Sequence, residues 1–106
     1  MNLTGKSLEQ FEKWYCKNVY KKECEPYHYA LVVYDQFDIH SESMKYGVLV
    51  DFFDSVWIDI YFQGDETLII FDNGEIVDLP FRQFDTRPQA RTKAIERANE
   101  ILNSRV

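Results

Sequence analysis

The spacing of hydrophobic residues near the N terminus predicts an amphipathic helix that runs to about residue 20. Large apolar side chains recur there every three or four positions, at Leu8, Phe11, Tyr15 and Val19. This spacing puts them on one buried stripe, with Cys16 outside it. Thr4 stands at the expected N-cap position, and Leu3 precedes it where a hydrophobic staple with Leu8 is possible. The chain is therefore expected to begin with a helix that packs on a core.

The next apolar segment, residues 27–34, fits two kinds of element. It follows a polar stretch that ends at Pro26, where a short helix can begin. The residues with helical spacing are Tyr27, Ala30, Leu31 and Tyr34. The β-branched residues Val32 and Val33 suit a strand equally well. We predict a helix that uses those four positions, and a strand is the open alternative.

The clearest helical pattern lies in the middle of the chain. Five large apolar residues share one face: Val48, Leu49, Phe52, Phe53 and Val56. Ser41 or Ser43 can cap this helix, which is expected to lie in the core. Asp54 falls near its C-terminal end, where the helix dipole makes a carboxylate unfavourable by about 0.3–1 kcal/mol. We therefore expect a compensating partner, either a basic residue of the last helix or an external cation.

From residue 57 the hydrophobic period changes to two, which predicts three successive strands. The expected strands cover residues 57–62, 67–72 and 75–79. The Asn73-Gly74 pair favours a two-residue type I′ turn before the third strand, and Pro80 ends that strand. The turn implies three cross-strand pairs: Phe71 with Ile76, Ile70 with Val77 and Leu68 with Leu79.

Both faces of this sheet are rich in apolar residues. A three-residue loop in the first hairpin completes a core face of Ile58, Ile60, Phe62, Leu68, Ile70, Val77 and Leu79. The other side, called here the outer sheet face, consists of Trp57, Asp59, Tyr61, Ile69, Phe71, Ile76 and Asp78. It is too apolar for a surface that meets only water. We expect a helix, another subunit or a ligand to cover it, and its seven residues are the candidate binding site.

The last helix is predicted from a capping box and a stripe of small residues. Thr86 is the expected N-cap, Gln89 completes the box, and Pro88 fits the first turn. The buried stripe is Ala90, Ala94, Ile95, Ala98, Ile101 and Leu102. We predict one α+β domain over residues 1–106, a three-stranded antiparallel meander packed with N-terminal, central and C-terminal helices in the order α-(α)-α-β-β-β-α. The expected core includes Phe52, Phe53, Ile60, Ile70, Ile95 and Leu102.

Composition narrows the class of protein. Seventeen aromatic residues against seven glycines and prolines exclude a disordered or collagen-like chain. The longest apolar run is far too short to span a bilayer, and the N terminus lacks the hydrophobic core of a signal peptide. We therefore expect a cytoplasmic protein that has no membrane partner.

The net charge of −6 is distributed unevenly. Residues 27–86 hold twelve acids against Lys45 and Arg82, whereas residues 87–106 carry five basic and two acidic side chains. An acidic middle segment opposes direct nucleic-acid binding, which needs basic residues to displace counterions from phosphates, and permits a basic protein partner. Ion pairs are also expected between this segment and the basic residues that follow it, namely Arg87, Arg91, Lys93 and Arg97.

No group of residues has the spacing of a metal or catalytic site. Seven residues separate Cys16 from Cys24, and adding His28 and His40 still gives no close pair of zinc ligands. The carboxylates close enough in sequence to share a divalent cation are Asp51, Asp54 and Asp59. Two carboxylates at i, i+3 are common on any solvated helix, so this set is weak evidence for a cation. We predict no cofactor, no metal, no disulfide and no catalytic group.

Five stretches carry a resemblance to known proteins: residues 3–6, 11–15, 46–48, 51–56 and 86–99. They cover the first, central and last helices and hardly any of the strands. Together they resemble a family of small uncharacterised proteins carried by bacteriophages and integrated elements of bacteria. The resemblance implies a genetic context and no particular activity. Trp57 departs from it, since a small residue is expected after Ser55 and Val56.

These observations predict a small non-enzymatic protein that acts by stoichiometric binding. Its partner is expected to be a basic protein or a second copy of the chain. In the genetic context that the resemblance implies, we expect that partner to be a host defence protein that the chain inhibits. The alternative is a binder of a nucleotide-type small molecule. That ligand would stack on Trp57, Tyr61 and Phe71 in a concave site between the sheet and a helix.

Overall fold

The described part of the chain folds into four α-helices and one three-stranded sheet. The computed structural model describes residues 2–22, 25–63, 67–78 and 87–105. The elements in chain order are α1 (Gly5–Tyr15), α2 (Tyr29–Gln36), α3 (Glu42–Ser55), β1 (Ile58–Gln63), β2 (Thr67–Asp72), β3 (Glu75–Asp78) and α4 (Arg87–Asn103). This order confirms the predicted α+β architecture. It also decides for the helix, and against the strand, in residues 27–34.

The sheet is an antiparallel meander in the order β1-β2-β3. Ile60 lies opposite Ile70, which confirms the register expected from a three-residue loop in the first hairpin. In the second hairpin, Asn73 and Gly74 have φ values of +56° and +85°. A left-handed conformation at both central residues is the signature of a type I′ turn, so that prediction is also confirmed.

A β-bulge corrects one part of the predicted pairing. Phe71 faces Ile76 as expected, but Ile70 faces Asp78 because β3 carries one extra residue at this point. The bulge removes Val77 from the alternation of the core face, and its side chain is 43% exposed. The predictions that Val77 pairs with Ile70 and lies in the core are therefore wrong.

The core lies between the sheet and the helices. Helices α3 and α4 contact β1, α4 also contacts β2, and α1 packs on the other three helices. Of the predicted core residues, those at most 4% exposed are Phe52, Phe53, Ile70, Ile95 and Leu102. Ile60 packs against this core but is only partly buried. The sequence therefore predicted the centre of the core correctly and overstated the burial of Ile60.

Helix α4 buries the predicted stripe. Ala90, Ala94 and Ala98 are at most 3% exposed, and Ile101 is partly buried. The capping box predicted at the start of this helix needs Thr86, which lies outside the described residues. The same is true of the pairing predicted for Leu79 and of the thiol of Cys24.

The end of the first helix differs from the prediction. The segment Cys16–Tyr20 is a π-helical turn, in which the Lys21 N–H donates to the Cys16 carbonyl oxygen, five residues back, at 3.0 Å. This wider turn rotates the side chains that follow it. Phe11, upstream, is buried as expected, but Cys16 is 2% exposed and Val19 is 42% exposed. The predictions for Cys16 and Val19 are therefore both wrong. The Cys16 N–H still donates to the Glu12 carbonyl oxygen as in an α-helix, so the wider turn accounts for the exposure of Val19 and not for the burial of Cys16.

Helix α2 buries a different face from the one predicted. Tyr27, Leu31 and Tyr34 are 76%, 55% and 68% exposed, and Ala30 is exposed as well. The buried side chains are Val33 and Phe37, and the Phe37 ring packs edge-on against α1. Burying these two fully apolar side chains leaves the tyrosine hydroxyls in water, where they need no protein partner. The helix prediction is confirmed and its predicted face is wrong.

The N terminus of α1 is capped by side chains of α4. Thr4 has the extended backbone of an N-cap residue, but its hydroxyl makes no capping bond. The Ser7 N–H donates to Asn103 Oδ1 at 2.8 Å, and the Thr4 N–H donates to Asn99 Oδ1 at 3.0 Å. Both side-chain amides donate back to oxygen atoms of Thr4, which completes what we call the asparagine clamp. Gly5 is needed beside it because its φ is +59° and a Cβ would lie 3.2 Å from Asn103 Oδ1.

The cap of α3 is one of the two serines that the sequence allowed. The Ser41 Oγ accepts the Met44 N–H at 3.4 Å, so Ser41 is the N-cap. The Ser43 Oγ instead accepts a hydrogen bond from Arg91 of α4 at 3.0 Å. The second serine therefore links α3 to α4.

Candidate functional site

The outer sheet face is open to solvent over its described side chains. Cross-strand pairing places these residues on one side of the sheet: Asp59, Tyr61, Ile69, Phe71 and Ile76. Trp57 extends the β1–β2 ladder, because its carbonyl oxygen accepts the Asn73 N–H at 3.0 Å. Trp57, Tyr61 and Ile76 are 71%, 62% and 59% exposed, whereas Ile69 and Phe71 are half-buried. The predicted set is therefore brought together except for Asp78. The bulge pairs Asp78 with Ile70 of the core face, so its predicted place on the outer side is wrong, and its side chain lies outside the described atoms. The outer sheet face therefore consists of the other six residues.

No described helix covers this face. Helices α3 and α4 lie against the other side of the sheet, where Ile58, Leu68 and Ile70 have no exposed surface. On the outer side, the Tyr61 and Phe71 rings form a T-shaped pair with centroids 6.1 Å apart. Of the three covers expected from the sequence, a helix among the described residues is therefore ruled out.

Trp57 has a backbone conformation that seldom accepts a large side chain. It follows α3, its N–H donates to the Asp54 carbonyl oxygen at 3.0 Å, and its φ is +67°. Glycine usually occupies such a left-handed position, and another residue there costs about 1–2 kcal/mol. The indole is largely exposed, so core packing does not offset this cost. The conformation itself favours glycine, because any residue with a Cβ is strained at this φ.

Two carboxyl groups meet at one border of the face. The side chains of Asp54 and Asp59 share a hydrogen bond, which is the main cause that raises the pKa of Asp59; burial and the negative charge of Asp54 raise it further. A basic residue of the last helix was the expected partner of Asp54. Among the described side chains its partner is another acid, so the prediction of a basic residue is wrong and this border of the face carries two carboxyl groups.

The basic residues near the C terminus have partners of several kinds. Lys93 and Arg97 pair with acids of α4 itself, Glu96 at 3.6 Å and Glu100. Arg105, which the sequence analysis did not single out, pairs with Asp72 and so links the two segments of opposite charge. The side chain of Arg87 lies outside the described atoms.

The described residues contain no group of three potential metal ligands. Asp54 and Asp59 come together, but Asp51 does not join them in such a group. The Cys16 sulfur is buried, 3.9 Å from the Tyr29 carbonyl oxygen. Asp51, Asp54 and Asp59 therefore do not come together as the ligands of a cation.

The structure contains a second candidate site, which the sequence analysis missed. A groove of about 300 Å³ runs between α1 and α2 and reaches α3. Its apolar floor includes Leu3, Phe11, Val33, Phe37 and Leu49, and we call it the α1–α2 groove. It contains none of the aromatic residues of the outer sheet face. The groove could have been predicted only if the buried side of α2 had been identified correctly.

Two acids line the same groove. Glu12 is half-buried and Asp38 is exposed. Burial raises the pKa of Glu12, and the negative charges of Glu9 and Asp38 raise it further. The groove therefore combines an apolar floor with a negative electrostatic potential at its mouth.

Comparison with known proteins gives no relative from which a function can be transferred. No protein-family model, no curated protein sequence and no solved structure matches this chain. Over the described residues, no helix has both the length and the apolar character that a membrane span requires. A functional assignment therefore depends on the outer sheet face and the α1–α2 groove themselves.

Proposed function

We propose that the protein acts by stoichiometric binding, without catalysis, and that the outer sheet face is its contact surface for a basic protein partner. The observation that supports this proposal is the exposure of Trp57, Tyr61 and Ile76 together on a sheet whose opposite side packs against α3 and α4. Tryptophan and tyrosine are enriched among the residues that dominate binding energy at protein interfaces. A sheet backed by a core also presents them at little cost in conformational entropy.

Charge selects the kind of partner. The Asp54–Asp59 pair gives the face a negative border. A symmetric dimer through this face would place the carboxylates of both copies in one interface, where no outer-face residue of either copy is basic and could pair with them. A partner with a basic rim around an apolar centre would instead gain from them. We therefore favour a different, basic protein over a second copy of the chain.

The target that we propose is a host defence protein that a mobile genetic element inhibits. Support comes from the resemblance of the helical stretches to proteins of bacteriophages and integrated elements. A one-to-one inhibitor needs a contact surface and no catalytic group, which suits a chain of 106 residues. A nucleotide-type ligand is the less favoured candidate, because the acids beside Tyr61 and Phe71 would repel its phosphates.

The experiment compares three variants in affinity capture from bacterial extract, followed by light-scattering mass measurement of the purified complex. Trp57→Gly removes the indole and suits a φ of +67°, Tyr61→Ala removes an exposed ring, and Tyr27→Ala removes an equally exposed ring elsewhere. We expect one partner at a one-to-one ratio with the parent chain and with Tyr27→Ala. We expect its loss from the other two variants and weaker capture at high salt.

Two results would contradict the proposal. One is capture that Trp57→Gly and Tyr61→Ala leave unchanged, which would place the contact elsewhere. The other is a mass that doubles with concentration in the parent chain and not in these variants, which would make the outer sheet face a dimer interface.

A further inference from the structure

We propose that the α1–α2 groove binds an amphipathic organic cation, a molecule with an aromatic or alkyl body and one ammonium group. This site is separate from the outer sheet face and does not depend on the function proposed for it. The inference combines the shape of the groove, the chemistry of its floor and the acids at its mouth.

The shape and floor suit a small apolar body. The volume of about 300 Å³ is at the lower end of the range for pockets that hold small molecules. Phe11, Val33 and Leu49 on the floor belong to the buried core, so the floor is preformed. An aromatic or alkyl group placed on it would leave water without stripping water from polar atoms of the floor.

The charge at the mouth decides which apolar molecules fit. Glu12 and Asp38 both line the groove, and neither carboxylate has an ion pair or side-chain hydrogen bond with another described residue. Glu9 adds a third negative charge near Glu12. A ligand with an ammonium group would pair with these acids as its body enters, whereas a carboxylate or phosphate would be repelled.

The protein already places one ammonium group against this region. Lys45 Nζ lies 5.9 Å from the centroid of the Phe37 ring, within the range of a cation–π contact. Lys45 does not line the groove, and its ammonium pairs with Glu42 at 3.6 Å. The ring therefore tolerates a cation, while Glu12 and Asp38 stay available to a ligand.

A charge series with a constant body tests the proposal. The probes are 4-phenylbutylammonium, 4-phenylbutanol and 4-phenylbutyrate, titrated into the ¹⁵N-labelled chain and followed by NMR. A ligand of this size with ordinary efficiency binds at about 1–5 mM. We expect the ammonium to bind about tenfold more tightly than the alcohol, with the carboxylate weakest. The shifted amides should include Ala30 and Val33 and not Tyr61.

Variants separate the groove from general attraction to an acidic protein. Glu12→Gln and Asp38→Asn should each weaken the ammonium severalfold and leave the alcohol unchanged, whereas Glu75→Gln, on the distant hairpin, should change neither. Ala30→Trp should fill the mouth and weaken all three probes, with the folded NMR spectrum as the control. Equal affinity for the three probes, shifts centred on the outer sheet face, or a Glu75→Gln effect as large as that of Glu12→Gln would each overturn the proposal.

Discussion

The two faces of the sheet carry similar side chains in opposite surroundings. The core face presents Ile58, Leu68 and Ile70, all with no exposed surface, and the outer sheet face presents Tyr61 and Ile76, both more than half exposed. Strands β1 and β2 alternate regularly between the two sides, so local sequence treats the faces almost alike. The difference arises because α3 and α4 pack on one side only. Apolar character therefore shows that a face is suited to burial, and helix placement determines which face is buried within the chain.

The largest expected effect tests this difference with one substitution made on each face. Ile70→Ala should lower the free energy of unfolding by about 2–5 kcal/mol, because it leaves a cavity beneath α3 and α4. Ile76→Ala should cost less than about 0.5 kcal/mol, because that side chain is 59% exposed. Urea denaturation of the two variants measures both values. Similar losses would mean that the outer sheet face is covered in the folded monomer.

The second prediction concerns the asparagine clamp, a polar counterpart of the apolar core. Asn99 is 8% exposed and bonds both the N–H and the hydroxyl of Thr4. Asn99→Ala should lower the free energy of unfolding by about 1–3 kcal/mol, because it leaves the Thr4 N–H without its acceptor. Asn18→Ala, which removes an exposed side chain bonded only to the Trp14 carbonyl oxygen, should cost less than about 0.5 kcal/mol. Equal losses would show that the clamp adds nothing to stability.

The sequence predicted the elements whose signals are local. Alternation and the Asn73-Gly74 turn predicted the meander. The register of the first hairpin followed only for a loop of three residues, and the sequence left the loop length open. The bulge at Val77 was not predicted, because an extra residue in a strand leaves no mark in the pattern of apolar and polar residues. The same limit applies to the π-helical turn at Cys16–Tyr20, after which Val19 is exposed, since regular spacing was assumed along the whole first helix.

The candidate sites also combine features that local sequence predicts with features that depend on tertiary packing. The membership of the outer sheet face followed from alternation except at Asp78, which the bulge pairs with Ile70 of the core face, and the exposure of the face depends on where α3 and α4 pack. The α1–α2 groove needed the buried face of α2, where burial of Val33 and Phe37 prevailed over the tyrosine stripe. The asparagine clamp joins residues 95 or more positions apart, beyond any local pattern.

The third prediction is that the left-handed backbone conformation of Trp57 lowers the stability of the fold. Trp57→Gly should raise the free energy of unfolding by up to about 1 kcal/mol, because relief of the left-handed strain exceeds the greater entropy of glycine in the unfolded chain. Trp57→Ala keeps a Cβ and should show no such gain. Thermal unfolding monitored by far-ultraviolet circular dichroism measures both variants. A loss of stability in Trp57→Gly would show that the indole supports the fold, which would weaken its proposed role in binding.

The smallest expected effect concerns the acids at the border of the outer sheet face. The hydrogen bond with Asp54 is the main cause that raises the pKa of Asp59 in the folded protein above its ordinary value of 3.8. The folded state therefore binds this proton more tightly than the unfolded state does. The resulting stability is fully present below pH 3.8 and is lost as the pH rises through the folded-state pKa.

Asp59→Asn should remove this dependence. The asparagine amide can still donate to Asp54, and it carries no charge at any pH. We expect the variant to be more stable than the parent chain near pH 7 by less than about 1 kcal/mol, and the difference to disappear as the pH approaches 3.8. Asp51→Asn, which removes one charge from the same acidic segment, controls for the change in net charge. A gain near pH 7 that is equal in the two variants would mean that general repulsion, and not the Asp54–Asp59 contact, causes it. A gain confined to Asp59→Asn would identify that contact as a local cost to the fold, which a basic partner docked on the outer sheet face would relieve.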